Sequence, residues 1–290
     1  MSVGILISFH YFRTDPLEER LAAFDRKPLV FADSGAFSAA NIGSEITIAD
    51  YSAWLTEHAG VIDMAATLDV IGDPKATAKN TTALEKRGHE VVPVFHVGSP
   101  WPELKRIVKT HKLVALGGMV PHARSAGPQL RRWLTYAVGI ADDAGARCHA
   151  FGITVPTIIS RLPLFSCDST TWKSSARYGD LFLWDDVRGW VTLPRDKKER
   201  RIDEMRLMRS YGLDPGPSVK KSYGIGNRDE MDAAWMAVAV AHVRFARWFH
   251  DRFAPVEVAG LPPGPHTFLS CVPNHIPRFV VPLFNKECAA

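Results

Sequence analysis

The sequence has little cysteine, no strong charge bias and no long hydrophobic run, and each absence excludes a class of protein. The four cysteines among the 290 residues, Cys148, Cys167, Cys271 and Cys288, form no C-x-x-C pair. This argues against a disulfide scaffold and against a zinc site, so we predict no metal. The apolar amino-terminal stretch has no basic leader and no cleavage signal, and it is too short to span a bilayer. We therefore predict a cytoplasmic protein with reduced thiols.

Seven short apolar runs alternate with polar, helix-compatible segments along the first two-thirds of the chain. This alternation predicts βαβ units and a parallel sheet. The length suits one α/β domain of the TIM type, a (β/α)8 barrel, which needs about 250 residues. Periodicity alone leaves a Rossmann-like sheet open. The runs lie at residues 4–9, 29–32, 61–68, 90–95, 113–116, 148–153 and 164–167.

The pattern changes after Trp172. Residues 180–193 predict a β-hairpin or a strand with an excursion, and residues 197–209 and 228–253 predict helices. Residues 261–290 are rich in proline and fit no element clearly. We therefore predict two parts. Residues 1–195 form the main part of the barrel and its catalytic core, and residues 196–290 supply C-terminal helices that complete or flank the barrel, followed by a Pro-rich tail.

Three aspartates follow apolar runs, at the positions where strands are expected to end. Asp33 precedes Ser-Gly, Asp69 follows Thr-Leu, and Asp168 precedes Ser-Thr-Thr. Each one alone fits a turn or a helix cap equally well. In a parallel barrel, however, the carboxyl ends of all strands meet at one mouth, where such enzymes carry out their chemistry. The three aspartates together therefore predict a site.

A pair of carboxylates at such a mouth suits displacement of a base from a sugar C1′. One carboxylate attacks or stabilises the oxocarbenium-like carbon while the other moves the proton. Burial and mutual repulsion separate the pKa values of the two groups and so assign their roles. A third carboxylate can accept hydrogen bonds from the N1–H and exocyclic amine of guanine, which excludes adenine.

Three motifs occur at these run ends in a fixed order, and together they resemble the signatures of the tRNA-guanine transglycosylase superfamily. The Asp-Ser-Thr-Thr-Trp form of the last motif is most similar to the archaeal-type enzymes and to the phage and genomic-island branch, deoxypurine-in-DNA protein A, which inserts 7-deazaguanines into DNA. The resemblance covers roughly residues 4–195. The motifs are Asp33-Ser34-Gly35-Ala36-Phe37, then Leu116-Gly117-Gly118-Met119, then Phe151-Gly152-Ile153 with Leu164-Phe165-Ser166-Cys167-Asp168-Ser169-Thr170.

The resemblance implies a pentosyltransferase that exchanges guanine for a 7-deazaguanine such as preQ0, in a ping-pong reaction without an organic cofactor. It implies that Asp168 is the nucleophile, which forms a covalent glycosyl intermediate, and that Asp33 is the general acid/base. It further implies that Asp69 recognises the guanine edge. The rest of the expected base pocket comprises Ser34, Gly35, His96, Gly117, Gly118 and Met119.

The chain departs from the family pattern in three places. Ala36 and Ser38 stand where the family usually has Gly and Gln. His96 lies in the stretch where a glutamine is expected, and it either serves the base or is a strand-end histidine satisfied by the core. The Cys-rich zinc loop and a recognisable RNA-binding domain are missing from the sequence, which favours DNA over tRNA. A tRNA-guanine transglycosylase, a glycosidic hydrolase and a non-catalytic nucleic-acid-binding homologue remain the alternatives.

A basic run and several tryptophans follow the last motif. The cations can neutralise phosphates, although a run interleaved with acids equally fits a solvated helix face, and tryptophans usually pack in a core. Because a base inside a duplex cannot reach a barrel mouth, we expect a flipped or single-stranded substrate. The expected partners are DNA and a free 7-deazaguanine base, with no membrane. A DNA-opening protein and a homodimer are left open, and the location is the host cytoplasm if the chain is phage-encoded. The predicted nucleic-acid contacts are Trp172, Lys173, Arg195, Lys197 and Arg201.

Overall fold

One eight-stranded sheet and a separate hairpin make up the β-structure of the chain. The computed structural model describes residues 3–41, 43, 45–119, 127–173, 180–194, 199–216 and 228–287. The sheet strands are β1 (Val3–Ser8), β2 (Leu29–Asp33), β3 (Met64–Ala65), β4 (Val94–His96), β5 (Leu113–Gly117), β6 (Arg147–Ala150), β7 (Ser166–Ser169) and β10 (His266–Cys271). The hairpin pairs β8 (Asp180–Asp185) with β9 (Gly189–Pro194) in antiparallel fashion, as predicted.

Helices connect most of the consecutive strands. Thr47 caps one of them by accepting a hydrogen bond from the backbone N–H of Asp50, and Asp73 caps the next by accepting one from Ala76. The helices are α1 (Phe9–Phe12), α2 (Leu17–Leu21), α3 (Ala36–Asn41), α4 (Ile48–Glu57), α5 (Pro74–Glu85), α6 (Trp101–Thr110), α7 (Gly127–Asp143), α8 (Pro156–Ile159), α9 (Ile202–Arg209), α10 (Arg228–His250) and α11 (Val281–Glu287), the last preceded by a π-helical turn (Ile276–Val280).

The strand order in the sheet is β3-β2-β1-β10-β7-β6-β5-β4, and every neighbouring pair is parallel. The predicted parallel α/β sheet is therefore confirmed, and each of the seven predicted runs overlaps a strand. The eighth strand, β10, comes from the stretch that sequence analysis treated as a Pro-rich tail. Since β10 lies between β1 and β7, the predicted boundary at residue 195 separates one central strand from the other seven.

The two faces of the sheet carry different side chains because consecutive residues of a strand point to opposite sides. Alternate residues such as Ile5, Val30 and Leu116 belong to a large buried cluster that includes residues of the surrounding helices. The residues between them, such as Leu6 and Phe31, form a second buried cluster with residues from β3, β4, β5 and β10. One face of the sheet therefore packs against helices, and the other packs against itself.

The sheet is strongly curled. Phe31 of β2 and His149 of β6 lie four strand positions apart, yet their ring centroids are only 4.8 Å apart. In a flat sheet four strand spacings would separate them by about 19 Å. In addition, one isolated parallel bridge pairs Ala66, just beyond β3, with Val92, just before β4. These contacts bring opposite parts of the sheet together around a shared interior.

The hairpin and α10 pack together beside the sheet. Trp184 of the hairpin is 2% exposed, and its ring contacts those of Phe245 and Trp248 on α10 at 5.2 and 5.0 Å. The observed α10 agrees with the predicted helix over 228–253. The helix predicted over 197–209 begins at Ile202 in the described part of the chain. No helix among the described residues is long and apolar enough to cross a membrane.

Candidate active site

The inner face of the curled sheet, which carries Leu6 and Phe31, is called the concave face. On this face, polar side chains replace apolar ones at the carboxyl ends of the strands. Alternation carries the apolar layer of Leu6 and Phe31 to Ser8 and Asp33, two residues further along β1 and β2. Ser8 and Asp33 are register partners in this parallel pair. Because all eight strands run the same way, the ends of β4, β5, β7 and β10 open on the same side. The strand ends therefore gather the candidate residues at one mouth.

Asp33 ends β2 in a tight turn. Its Oδ2 accepts a hydrogen bond from the backbone N–H of Gly35 at 3.0 Å. Gly35 has φ +78°, and a Cβ there would lie 2.4 Å from Ser8 Oγ and 2.5 Å from His10 Cβ, so only glycine fits this turn. The Asx turn considered from the sequence is thus present, and it holds the carboxylate at the mouth.

Burial raises the pKa of Asp33 to about 7, and the negative charges of Asp69 and Asp168 add to the effect. The backbone N–H groups of Gly35 and Ser34 oppose it only in part. The three predicted carboxylates therefore lie close enough to interact electrostatically. A carboxyl group that titrates near neutral pH can both give and take a proton, as a general acid/base must.

Asp168 on β7 is buried, with 4% of the residue exposed, and both of its oxygens have donors. Oδ1 accepts the backbone N–H of Gly152 at 2.7 Å, and Oδ2 accepts the hydroxyl of Ser270 at 2.8 Å. Hydrogen bonds to a carboxylate are stronger than neutral ones and fix its orientation. Asp168 is therefore held rigidly, with its carboxylate pointing into the concave face.

His149 lies beside Asp168 and was not singled out from the sequence. Its Nε2 is 3.5 Å from Asp168 Oδ1, and its Nδ1 is 2.8 Å from Ser166 Oγ. The ring is fully buried against Phe31, Phe151 and Phe268. Burial lowers the pKa of His149 more than the neighbouring Asp168 raises it, so the imidazole is neutral at pH 7.

Asp69 follows β3 and is held by two side chains. Its Oδ1 accepts the hydroxyl of Ser34 at 3.1 Å, and its Oδ2 lies 2.9 Å from His96 Nε2. The side chains of Asp69 and His96 are only 14% and 11% exposed. His96 is thus an ion-pair or hydrogen-bond partner of Asp69, not a histidine satisfied by the hydrophobic core.

The glycine pair after β5 makes room for His96. A Cβ on Gly117 would lie 2.8 Å from His96 Cδ2, and Gly118 has φ +72°, a conformation that favours glycine. The structure shows the close packing of these glycines against His96. Contact between their backbones and a base stays a prediction. Met119 is fully buried, so its side chain contributes to the core.

Trp172 is a correction to the predicted nucleic-acid contacts. It is 0% exposed, its Nε1 donates to the backbone carbonyl of Ser270 at 3.0 Å, and its ring packs against Trp235 and His275. A ring enclosed in this way cannot stack on a nucleic-acid base. Core packing, the alternative considered from the sequence, explains this residue.

The other predicted nucleic-acid contacts lie in three different settings. Lys173 is half-buried in the short helical segment after β7, where burial lowers its pKa although the nearby Asp168 carboxylate opposes this shift. Arg201 is exposed, and it pairs with Asp203 and Glu204 on its own helix. Arg195 and Lys197 lie outside the described residues.

Sequence reasoning missed two residues that contact Asp168, namely His149 and Ser270. Alternation within β6 could have placed His149 on the concave face, in phase with Phe151. Ser270 could not be found, since the strand that carries it was not recognised. Among the described residues, no group of three or more His, Cys, Asp or Glu side chains is arranged to hold a metal ion.

Comparison with known proteins leaves the geometry as the basis for any function. No protein-family model matches the chain, and no curated protein matches it significantly. What the chain does must therefore be inferred from its own residues and their arrangement.

Proposed function

We propose that this chain is a guanine transglycosylase that exchanges guanine in DNA for a 7-deazaguanine base. The observation that carries the proposal is the set of three interacting carboxylates at one mouth. Asp168 is rigidly held, Asp33 has a pKa of about 7, and Asp69 has polar partners at the rim. This division of roles is what base exchange at C1′ requires.

We also propose that the curled sheet closes into a (β/α)8 barrel. In the strand order of the sheet, β3 and β4 are the two ends, and the bridge between Ala66 and Val92 joins the chain beside them. The backbone N–H of Thr67 donates to the carbonyl of Val92, and the N–H of Val92 donates to that of Ala65. These bonds support closure in the one place where a regular ladder is missing.

In the first half of the reaction, a carboxylate oxygen of Asp168 attacks C1′ of the target nucleotide and the bond from C1′ to guanine N9 breaks. Asp33, protonated near neutral pH, gives its proton to the departing base. The product is an ester between C1′ and Asp168. Ser270 and Gly152 fix the attacking carboxylate, which reduces the reorganisation needed to reach the transition state.

In the second half, the incoming 7-deazaguanine loses its proton to Asp33, and its nitrogen attacks C1′. The ester bond then breaks, and Asp168 leaves as a carboxylate. Each half restores the protonation state that the other half needs. One carboxyl group with a pKa near 7 is therefore sufficient for both proton transfers.

Asp69 is the proposed reader of the guanine edge, and His96 adjusts it. Both oxygens of Asp69 already have partners within 3.1 Å, so the base must displace or share these hydrogen bonds. A base that lacks the N1–H and amino donors leaves the carboxylate with poorer partners. Such a mismatch costs about 1 to 3 kcal/mol for each unsatisfied group.

The test is incorporation of radiolabelled guanine into single-stranded DNA, duplex DNA and tRNA. We expect exchange with DNA, a denaturation-resistant protein–DNA adduct, and loss of both in Asp168→Asn. The exposed Asp251→Asn serves as a matched control and should exchange normally. Exchange with tRNA alone would identify the tRNA enzyme, and release of free guanine without exchange would identify a hydrolase. Unchanged exchange in Asp168→Asn would refute the proposed nucleophile.

A further inference from the structure

A basic cleft lies on the outer side of the sheet, between α6, α7 and α8. Its volume is about 870 Å³, and its floor includes Ile140, Ile158 and Leu162. Asp143 is the acidic residue among its lining residues. The cationic lining residues are Lys105, Arg131, Arg132 and Arg161. The cleft therefore combines an apolar floor with a positively charged rim.

The cationic side chains of the cleft are exposed and available. None of the four forms an ion pair with any other residue in the part of the chain that the structure describes. The basic residues beyond the barrel motifs differ, because Arg201 pairs with Asp203 and Glu204 while Arg200 donates to the carbonyls of Pro194 and Pro215. The four cations of the cleft thus differ from Arg200 and Arg201 of the predicted run, which have partners among the described residues.

One end of the cleft lies toward the mouth. Helix α7 follows β5, which ends in Gly117, and α8 follows β6 and Gly152, the residue that donates to Asp168. Helices that follow parallel strands begin on the side where those strands end. Arg131 and Arg132 lie within the first two turns of α7, and they therefore lie toward the mouth.

An exposed aromatic residue lines the same cleft. Tyr136 is 50% exposed, and its ring makes an edge contact with Trp101 at a centroid distance of 4.6 Å. This contact restricts the orientation of the ring. Rings of this kind, next to phosphate-binding cations, are the usual means of holding single-stranded nucleic acid.

We propose that this cleft binds the sugar–phosphate backbone of the strand that carries the target nucleotide. The identity of the ligand rests on the proposed function, while the binding surface rests on the four unpaired cations and Tyr136. The cations come from α6, from α7 and from the turn after α8, and they are spread along an open cleft. That spacing suits a chain of phosphates better than a single bound anion.

The experiment compares two triple variants in binding to a fluorescent single-stranded DNA oligonucleotide over a range of salt concentrations. The cleft variant carries Arg131→Gln, Arg132→Gln and Arg161→Gln. The control loses three exposed cations around α5, through Lys79→Gln, Lys86→Gln and Arg87→Gln. Each phosphate contact on a single strand contributes about 0.7 to the slope of log affinity against log salt. The slope of the cleft variant should therefore fall by about 2, and that of the control should stay unchanged.

Equal slopes for the two triple variants would overturn the proposal. A second probe, polyglutamate, tests an acidic protein segment, and loss of polyglutamate binding with unchanged DNA binding would also overturn it. Asp168→Asn separates this result from the proposed function, because that variant should bind DNA with the original slope while exchange is lost. If the cleft variant shows the expected fall in slope but Asp168→Asn still exchanges guanine, the proposed function is refuted and the proposed binding cleft stands.

Discussion

Replacing Asp33 with asparagine should make the free energy of unfolding depend differently on pH. The pKa of Asp33 in the folded protein is about 7, because burial and two neighbouring carboxylates disfavour its charged form. The pKa of an exposed aspartate is 3.8. Between these two values the folded state holds a proton that the unfolded state has released. The stability of the natural protein therefore falls as pH rises toward 7.

The size of this effect follows from the two pKa values. At pH 5 the unfolded carboxyl is already ionised, and the folded one remains protonated for about two further pH units. Each unit corresponds to about 1.4 kcal/mol, so Asp33 lowers the free energy of unfolding by about 3 kcal/mol between pH 5 and pH 8. Asparagine has no proton to lose, and this contribution vanishes in the variant.

The assay is urea denaturation of both proteins at pH 5 and pH 8. The free energy of unfolding of Asp33→Asn, minus that of the natural protein, should be larger at pH 8 than at pH 5 by about 3 kcal/mol. The buried His242, whose pKa burial lowers to about 4, changes stability in the opposite direction below pH 6.5, but it does so in both proteins and cancels in the difference. The exposed Asp251→Asn is the control and should show no such difference. If the two proteins differ in free energy of unfolding by the same amount at pH 5 and pH 8, Asp33 does not retain a proton up to about pH 7, and its acid/base role is refuted.

Three further changes test the neighbouring contacts. Ser270→Ala removes a donor from buried Asp168 and should slow adduct formation in single-turnover experiments by on the order of 10- to 100-fold, with Ser270→Thr restoring part of the rate; an unchanged rate would show that the hydroxyl does not position the nucleophile. Gly117→Ala places a methyl group 2.8 Å from His96 and should weaken discrimination against adenine, as measured by competition between labelled bases. Expressed as a free energy, this loss should be larger than the loss in the free energy of unfolding. Trp172→Ala should lower the free energy of unfolding by about 3 to 5 kcal/mol, as measured by denaturation, and leave the affinity of the folded protein for DNA unchanged; weaker DNA binding by the folded variant would restore Trp172 as a nucleic-acid contact.

The sequence was sufficient for most of the sheet because seven strands overlap apolar runs that lie between helical segments. It failed for β10, since the prolines at positions 262, 263 and 265 indicate a loop, and the strand begins immediately after the last of them. Within β10, polar residues such as Ser270 are mixed with apolar ones such as Leu269 without a regular period, so the sequence pattern does not identify a strand.

For the candidate site, too, the sequence was sufficient for one part and insufficient for another. Asp33, Asp69 and Asp168 could be chosen because each follows an apolar run, a local property. The contacts of these carboxylates are not local, since Ser270 lies 102 residues from Asp168 and His96 lies 27 residues from Asp69. Register and curl decide such pairings, and neither is written in the spacing of one segment. Trp172 was wrongly predicted as a nucleic-acid contact for the same reason, because its surroundings are set by residues distant in sequence, among them Trp235 on α10.

The position of β10 has a consequence for the order in which the sheet can assemble. Strand β10 fits between β1 and β7, which expose unpaired edges of the kind that promote aggregation until β10 is in place. The same strand brings the hydroxyl that completes the setting of Asp168. A folding chain in which β10 has not yet docked therefore has both an aggregation-prone gap in its sheet and an incompletely held Asp168.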